Sequence, residues 1–318
     1  MSTHRTTYTA PTPVSFVNPG NHLTASAAVD PVTLRLALDR YGDDVVLPCE
    51  QPLCAPAILG GSVPQALASL ADVRVSETSL SVLVDTGVLR WEEDSEPRRC
   101  TLTGYDGQGH YGVEVDGPQW WDTRSDLGRV ADSAGDGDGA VRGLPDGGIV
   151  VCVPMTMADG TSVELWMTEL DPEWHSSGEQ PSGAPHGMDL FALLTTACEL
   201  MRAARAGAFW KSGTAQSVKF PAQDISAAHD VHGLGVPTEQ QCMLRISEEG
   251  ARAVARAEIM LGLLPTSIAP TIVMGERAPV LLWFAQDGFD LPFCVSYSPA
   301  QAWLAPEATI DLDAPADW

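Results

Sequence analysis

A chain of 318 residues that is 44% hydrophobic can bury one large core or two ordinary ones. Forty-two acidic against 18 basic side chains give a formal charge of −24. Such a surface repels phosphate backbones and anionic lipid, which excludes nucleic acid and membrane surfaces as partners. No segment approaches the roughly 18–20 apolar residues of a membrane span. The N-terminus, Met1 to Arg5, runs into Thr- and Pro-rich sequence without the apolar core of a secretory signal. Seven cysteines (Cys49, Cys54, Cys100, Cys152, Cys198, Cys242 and Cys294) form no regular framework. That suits reduced thiols and a cytoplasmic location. Abundant Ala, Gly, Pro, Asp and Val with few lysines point to a high-GC bacterial source.

Residues 1–29 are polar, rich in Thr and Pro, and read as a flexible arm or a loosely docked strand. Asp30 caps a short helix through Leu34 and Leu38, and Pro64 opens a second through Leu67 and Leu70. Residues 79–85 read as a strand, with 87–91 as its hairpin partner. Between Glu92 and Gly148 one strand stands out, at 111–116, before a Gly/Asp-rich run at 132–139. Strands follow at 149–153 and 162–167. The strongest helix spans 189–206: Leu190, Leu193, Leu194, Ala197, Leu200, Met201 and Ala204 keep helical spacing, and Gly207 ends it. Further strands are expected at 217–220, 242–247, 280–284 and 292–297, with a weaker segment at 224–229. Helices and strands mix without regular βα alternation, which predicts an α+β fold. The expected organisation is a single domain over 30–306 followed by an acidic tail over 307–318.

Most candidate chemistry fails on spacing. Fitting the Gly/Asp run to a calcium loop with Gly139 at the sixth position leaves Ala134 and Pro145 where oxygen ligands are required. His229 and His232 have no third ligand nearby, and Cys49 and Cys54 have no second pair at zinc spacing. No metal and no cofactor is therefore expected. Common nucleophile-elbow, phosphate-loop, zinc-protease and dinucleotide motifs do not occur. Trp120, Trp121 and Asp122 form an aromatic block that serves either as a core anchor or, with Trp210 and His229, as a small-molecule pocket.

The segment after Ile246 is different. Glu248 and Glu249 precede Gly250, and then alanines recur at 251, 253, 255 and 257, with Arg252, Val254, Arg256 and Glu258 between them. As a strand, the segment would turn small side chains to one face and mostly charged ones to the other. Its Ala, Arg and Glu content also suits a surface helix, and on pattern alone that ordinary amphipathic helix is the favoured reading. A segment with both options has the chemistry of a conformational switch.

At this point the C-terminal third resembles the serpin family. Arg245 to Ala257 looks like the strand and proximal hinge of a reactive centre loop, and Leu264 to Pro270 like its distal part. Glu276 to Trp283 and Leu291 to Pro299 resemble the strands that follow, and Val218 to Pro221 the strand before; the match covers residues 215–300. The resemblance implies a large central sheet, a second smaller sheet and peripheral helices. It also implies a monomeric inhibitor of serine or cysteine proteases, whose loop is attacked as bait and then inserts as an extra strand. The hinge would comprise Glu248, Glu249, Gly250, Ala251, Ala253, Ala255 and Ala257. The scissile region would lie among Leu263, Leu264, Pro265, Thr266 and Ser267. Pro265 directly follows Leu264, the residue at the family's usual spacing, and a proline there resists most serine proteases. A non-inhibitory serpin-fold protein with a small-molecule or biosynthetic role is the alternative.

Overall fold

The structure is a computed structural model. It describes residues 15–17, 27–41, 63, 65–75, 80–122, 148–157, 160–170, 190–207, 209, 211–232, 238–253, 270–286, 289 and 291–314. In chain order the elements begin with β1 (Ser15–Val17), β2 (Ala27–Val29), α1 (Pro31–Tyr41) and α2 (Gln65–Leu70). Next come β3 (Ala71–Val75), β4 (Leu80–Val84), β5 (Arg90–Trp91), β6 (Arg98–Thr103), β7 (Gly109–Asp116) and β8 (Gln119–Asp122). Strands β9 (Ile149–Thr156) and β10 (Ser162–Glu169) lead to helix α3 (Leu190–Arg205). Beyond it lie β11 (Lys211–Thr214), β12 (Ser217–Pro221), β13 (Gln223–His232), β14 (Thr238–Ser247) and β15 (Gly250–Ala253). Strands β16 (Thr271–Val273), β17 (Val280–Ala285) and β18 (Phe293–Ser298) complete the series.

The strands form three larger sheets and a hairpin. The eight-stranded sheet runs β11-β8-β9-β10-β17-β18-β2, with β5 also paired to β9, and every pairing in it is antiparallel. A four-stranded antiparallel sheet runs β1-β13-β14-β15. Another runs β16-β12-β7-β6, in which only the β12–β16 pair is parallel. Strands β3 and β4 form the hairpin. One large antiparallel sheet, smaller sheets and few helices make this the α+β fold expected, with a large sheet beside smaller ones.

Burial explains the longest elements. Leu193, Leu194, Ala197, Leu200, Met201 and Ala204 line the covered face of α3, which packs on β1, β2, β17 and β18, while Arg202 stays exposed. Gly207, at φ 66°, closes that helix by donating to the Ala204 carbonyl. Every residue of β17 and β18 is buried, as befits strands covered on both faces. Asp30 caps α1 as expected: its Oδ1 accepts from the Val32 N–H at 2.8 Å and the Thr33 N–H at 3.4 Å.

Two expectations need correction. Residues 87–91 are not the hairpin partner of 79–85. Strand β4 pairs instead with β3, which follows α2 directly, and Arg90 and Trp91 pair with Thr156 and Met155 of β9. The weaker 224–229 segment is a full strand, ten residues of β13 held against β14. The Gly/Asp run at 132–139, Cys49 and Cys54 lie outside the described residues.

Candidate functional site

The root of the small-residue segment is a strand, not a free loop. Strand β14 ends at Ser247, and Glu248 and Glu249 make the turn, tightened by the Glu249 N–H donating to Ser247 Oγ at 3.1 Å. Strand β15 then folds back along β14, with Ser247 opposite Gly250, Ile246 opposite Ala251, Arg245 opposite Arg252 and Leu244 opposite Ala253. Its other side is also held. The Ala251 N–H donates to the Leu89 carbonyl at 2.9 Å and the Leu89 N–H donates back at 2.5 Å. Ala251, fully buried, is therefore held from both sides, by β14 and by Leu89, while Gly250, Arg252 and Ala253 pair with β14.

Glycine at 250 is required by the approach of Leu89. Its φ is 147°, and a Cβ there would lie 2.3 Å from the Leu89 carbonyl oxygen. The turn is also anchored from beneath. The Trp91 indole N–H donates to the Ser247 carbonyl at 3.0 Å, and its ring meets Phe220 edge-on at 6.1 Å. The Tyr111 hydroxyl donates to Glu248, and the Arg99 guanidinium lies 3.9 Å over the Tyr111 ring and 4.0 Å from the Glu248 carboxylate. Burial and the Glu248 carboxylate push the Tyr111 hydroxyl up, so it remains a donor at any ordinary pH.

The outward face of β15 carries Arg252. Its guanidinium makes a fork with Asp85, at 2.7 and 3.2 Å. Burial opposes ionisation of Asp85, but the Arg252 guanidinium and the Gly87 N–H outweigh it and hold the carboxyl below its usual range. None of Asp85, Leu89, Arg99 or Tyr111 stands out in the sequence, because each meets the hinge from more than 130 positions away. The only local signal is the alternation that sets Arg252 opposite the alanine face.

Of the remaining hinge and scissile positions, Ala255, Ala257 and Leu263 through Ser267 lie outside the described residues. The aromatic block splits across β8. Trp121 stacks on Trp166 at 5.0 Å, and Trp166 stacks in turn on Trp283 at 6.1 Å. Trp120 belongs to the opposite face, against Gly213 of β11. His229 is on β13, in a different sheet, and Trp210 lies outside the described residues. The described members of the proposed small-molecule pocket are therefore distributed over two sheets.

A second buried polar group lies under α1. Asp30 is 5% exposed; its N–H donates to Gln240 Oε1 at 3.0 Å, and Gln240 Nε2 donates to Thr33 Oγ1 at 3.0 Å. Burial raises the Asp30 carboxyl to about 7, against the hydrogen bonds from Val32 and Thr33. Burial, then the nearby Asp30, also pushes the Cys294 thiol up, so it is unreactive at neutral pH. Among the described residues no cluster of His, Cys, Asp and Glu is arranged to hold a metal ion, and no helix is long and apolar enough to cross a membrane.

No family model matches the chain, and no curated protein matches it. Among solved structures it is similar to the mouse protein-Z dependent protease inhibitor, at 12% identity and TM-score 0.37. That likeness covers 70% of this chain and 55% of the other. It is also similar to native protease nexin-1, solved with heparin, at 9% identity and TM-score 0.34, over 70% of this chain and 56% of that one. The chain thus spans little more than half the length of these two proteins. Serpin48 from the insect Tenebrio molitor is similar at 8% identity and TM-score 0.34, over 86% of this chain and 91% of its own. Such loose superpositions carry no functional argument.

Proposed function

We propose that the chain is a serpin-like inhibitor of serine or cysteine proteases, acting through residues 248–267. The observation that carries this reading is the register of β15. Residues directly opposite in antiparallel strands share a face. Positions 251 and 253 stand opposite Ile246 and Leu244, both buried. Carried on in the same register, positions 255 and 257 would stand opposite Cys242 and Gln240, which are buried as well. All four alanines of the segment would then meet the covered face of β14, where larger side chains have no room. Arg252 already points the other way, and Val254 and Arg256 would follow it.

A loop built to enter a sheet after cleavage needs this pattern. Cleavage at Leu264–Pro265 is disfavoured by the missing proline N–H. The bonds Leu263–Leu264 and Thr266–Ser267 are the ones offered to a protease. A small-molecule role gains less support, because Trp121 is already engaged by Trp166.

The test is to mix the protein with chymotrypsin-type and subtilisin-type proteases and look for a covalent complex that survives SDS. Formation of that complex, with the new N-terminus between 264 and 267, is the expected result. If every protease either ignores the loop or turns it over catalytically, the inhibitory reading is lost.

A further inference from the structure

Residues 303–314 follow the last strand and make no regular element of their own beyond turns, yet their main chain is held along its length. The Tyr111 N–H donates to the Leu304 carbonyl at 2.9 Å. Arg99 Nη2 donates to the carbonyls of Pro306 and Ala308, both at 2.5 Å. Arg245 Nη1 reaches the carbonyls of Asp311 and Ala314, at 3.3 and 2.6 Å. Arg252 Nη1 reaches those of Leu312 and Ala314, at 3.0 and 3.4 Å. Leu312 is the apolar peg between these contacts, only 5% exposed.

The two distal arginines explain why the segment lies there. Arg245 and Arg252 are direct cross-strand partners, one on β14 and one on the hinge strand β15. Like charges directly opposite each other destabilise a strand pair. Each arginine has one carboxylate of its own, Asp224 for Arg245 and Asp85 for Arg252. The unused guanidinium N–H groups of both converge on the Ala314 carbonyl, and Asp313 adds negative charge beside Arg252. The segment therefore supplies acceptors and charge where the hinge needs them. Contacts with two adjacent strands through one carbonyl also tie those strands together.

We propose that residues 303–314 form an intramolecular strap, docked on the paired guanidinium groups of Arg245 and Arg252, that holds the root of the loop in the sheet. Trp303, Leu304, Ala308 and Ile310 pack the nearer part of the segment against the core, whereas its distal part meets β14 and β15 through main-chain carbonyls and Leu312, so that surface accepts an extended acidic segment. The partner it fits is this chain's own C-terminal segment. Release of the strap frees Gly250–Ala253 to leave the sheet. The strap governs the same loop as the proposed inhibition, and only that consequence rests on the inhibitory reading.

The experiment is amide hydrogen exchange on the full chain, which reads the strap whatever the loop does to proteases. Leu312→Asp unseats the peg without touching β14, β15 or their carboxylates. Exchange of residues 250–253 should quicken together with that of 303–314, by roughly ten- to a hundredfold, the scale of local opening when one or two charge-assisted hydrogen bonds are lost. Strands β10 and β17 should keep their rates. Arg245→Gln, which removes a clasp from the neighbouring strand and no apolar contact, should give the same paired increase and covers the case in which Leu312→Asp loosens the whole chain. Rapid exchange at 303–314 with unchanged exchange at 250–253, in either variant whose other strands keep their rates, overturns the strap. So does a rise in β10 and β17 as large as that in the hinge for Arg245→Gln.

Discussion

At the scale of single residues, Gly250 and Asp30 show two kinds of constraint. Gly250 combines a backbone angle that other residues rarely adopt with a neighbouring carbonyl too close for any Cβ. Gly250→Ala must therefore push β15 off Leu89 or twist the turn, at a cost of about 1–3 kcal/mol. Gly87→Ala is the control, since Gly87 also has positive φ, 63°, but nothing within 4 Å of its would-be Cβ. Urea unfolding should show the larger loss at 250, and equal losses would mean that contact with Leu89 is not what selects glycine. Asp30 is constrained by its proton. Its carboxyl titrates near 7 in the folded chain, against an ordinary value of 3.8, because burial disfavours the charge. Between those values the folded state holds a proton that the unfolded state has released, so this group's contribution falls as pH rises from about 4 to about 7 and is level above. Asn keeps the helix cap and carries no charge. Asp30→Asn should therefore gain on the parent between pH 4 and pH 8 by up to about 4 kcal/mol. A stability difference that does not change with pH would show that Asp30 is ionised in the folded state.

At the scale of elements, legibility followed the source of each element's stability. Helix α3 carries its reason in its own spacing, and strands β17 and β18 carry theirs in largely apolar runs. Strand β3 does not, since Ala71 follows Leu70 with no glycine or proline to mark the end of α2. Strand β6 is mostly exposed and lacks the alternation that announces a half-buried strand; its place comes from pairing with β7. The two residues of β5 are too few for any pattern, and only the fold could choose β9 over the nearby β4 as their partner. The segment that begins at Gly250 was legible by half. Alternation divides Ala251 from Arg252 correctly onto opposite faces, but nothing local says that the charged face meets Asp85 and residues 312–314 instead of water. The same limit hid Arg99 and Tyr111, which act on the turn at Glu248 from another sheet. Trp121 shows the reverse. A core anchor is the safer reading of its type, and the stack on Trp166, itself stacked on Trp283, is a contact that no local pattern announces.

At the scale of the whole molecule, the telling quantity is how much of β14 the hinge strand covers. Strand β14 has ten residues, Thr238 to Ser247, and β15 pairs with the last four. Among the described residues, positions 238–243 have β13 on one side and no partner strand on the other. Six further positions of the small-residue segment would fill that length in the existing register. Each backbone hydrogen bond made there contributes about 1 kcal/mol net. For a protein of this size a gain of several kcal/mol raises the melting temperature by roughly 5–10 °C. Cleavage within residues 263–267 breaks the covalent connection between the segment and β16, whose first residue is Thr271. Calorimetry before and after such a cut should therefore show a rise of that order if the freed segment pairs along the rest of β14. An unchanged melting temperature would mean that the intact chain already rests in its most stable arrangement. Without that gain nothing would be available to distort a bound protease, and β15 would be a fixed edge of the sheet rather than the start of an insertion.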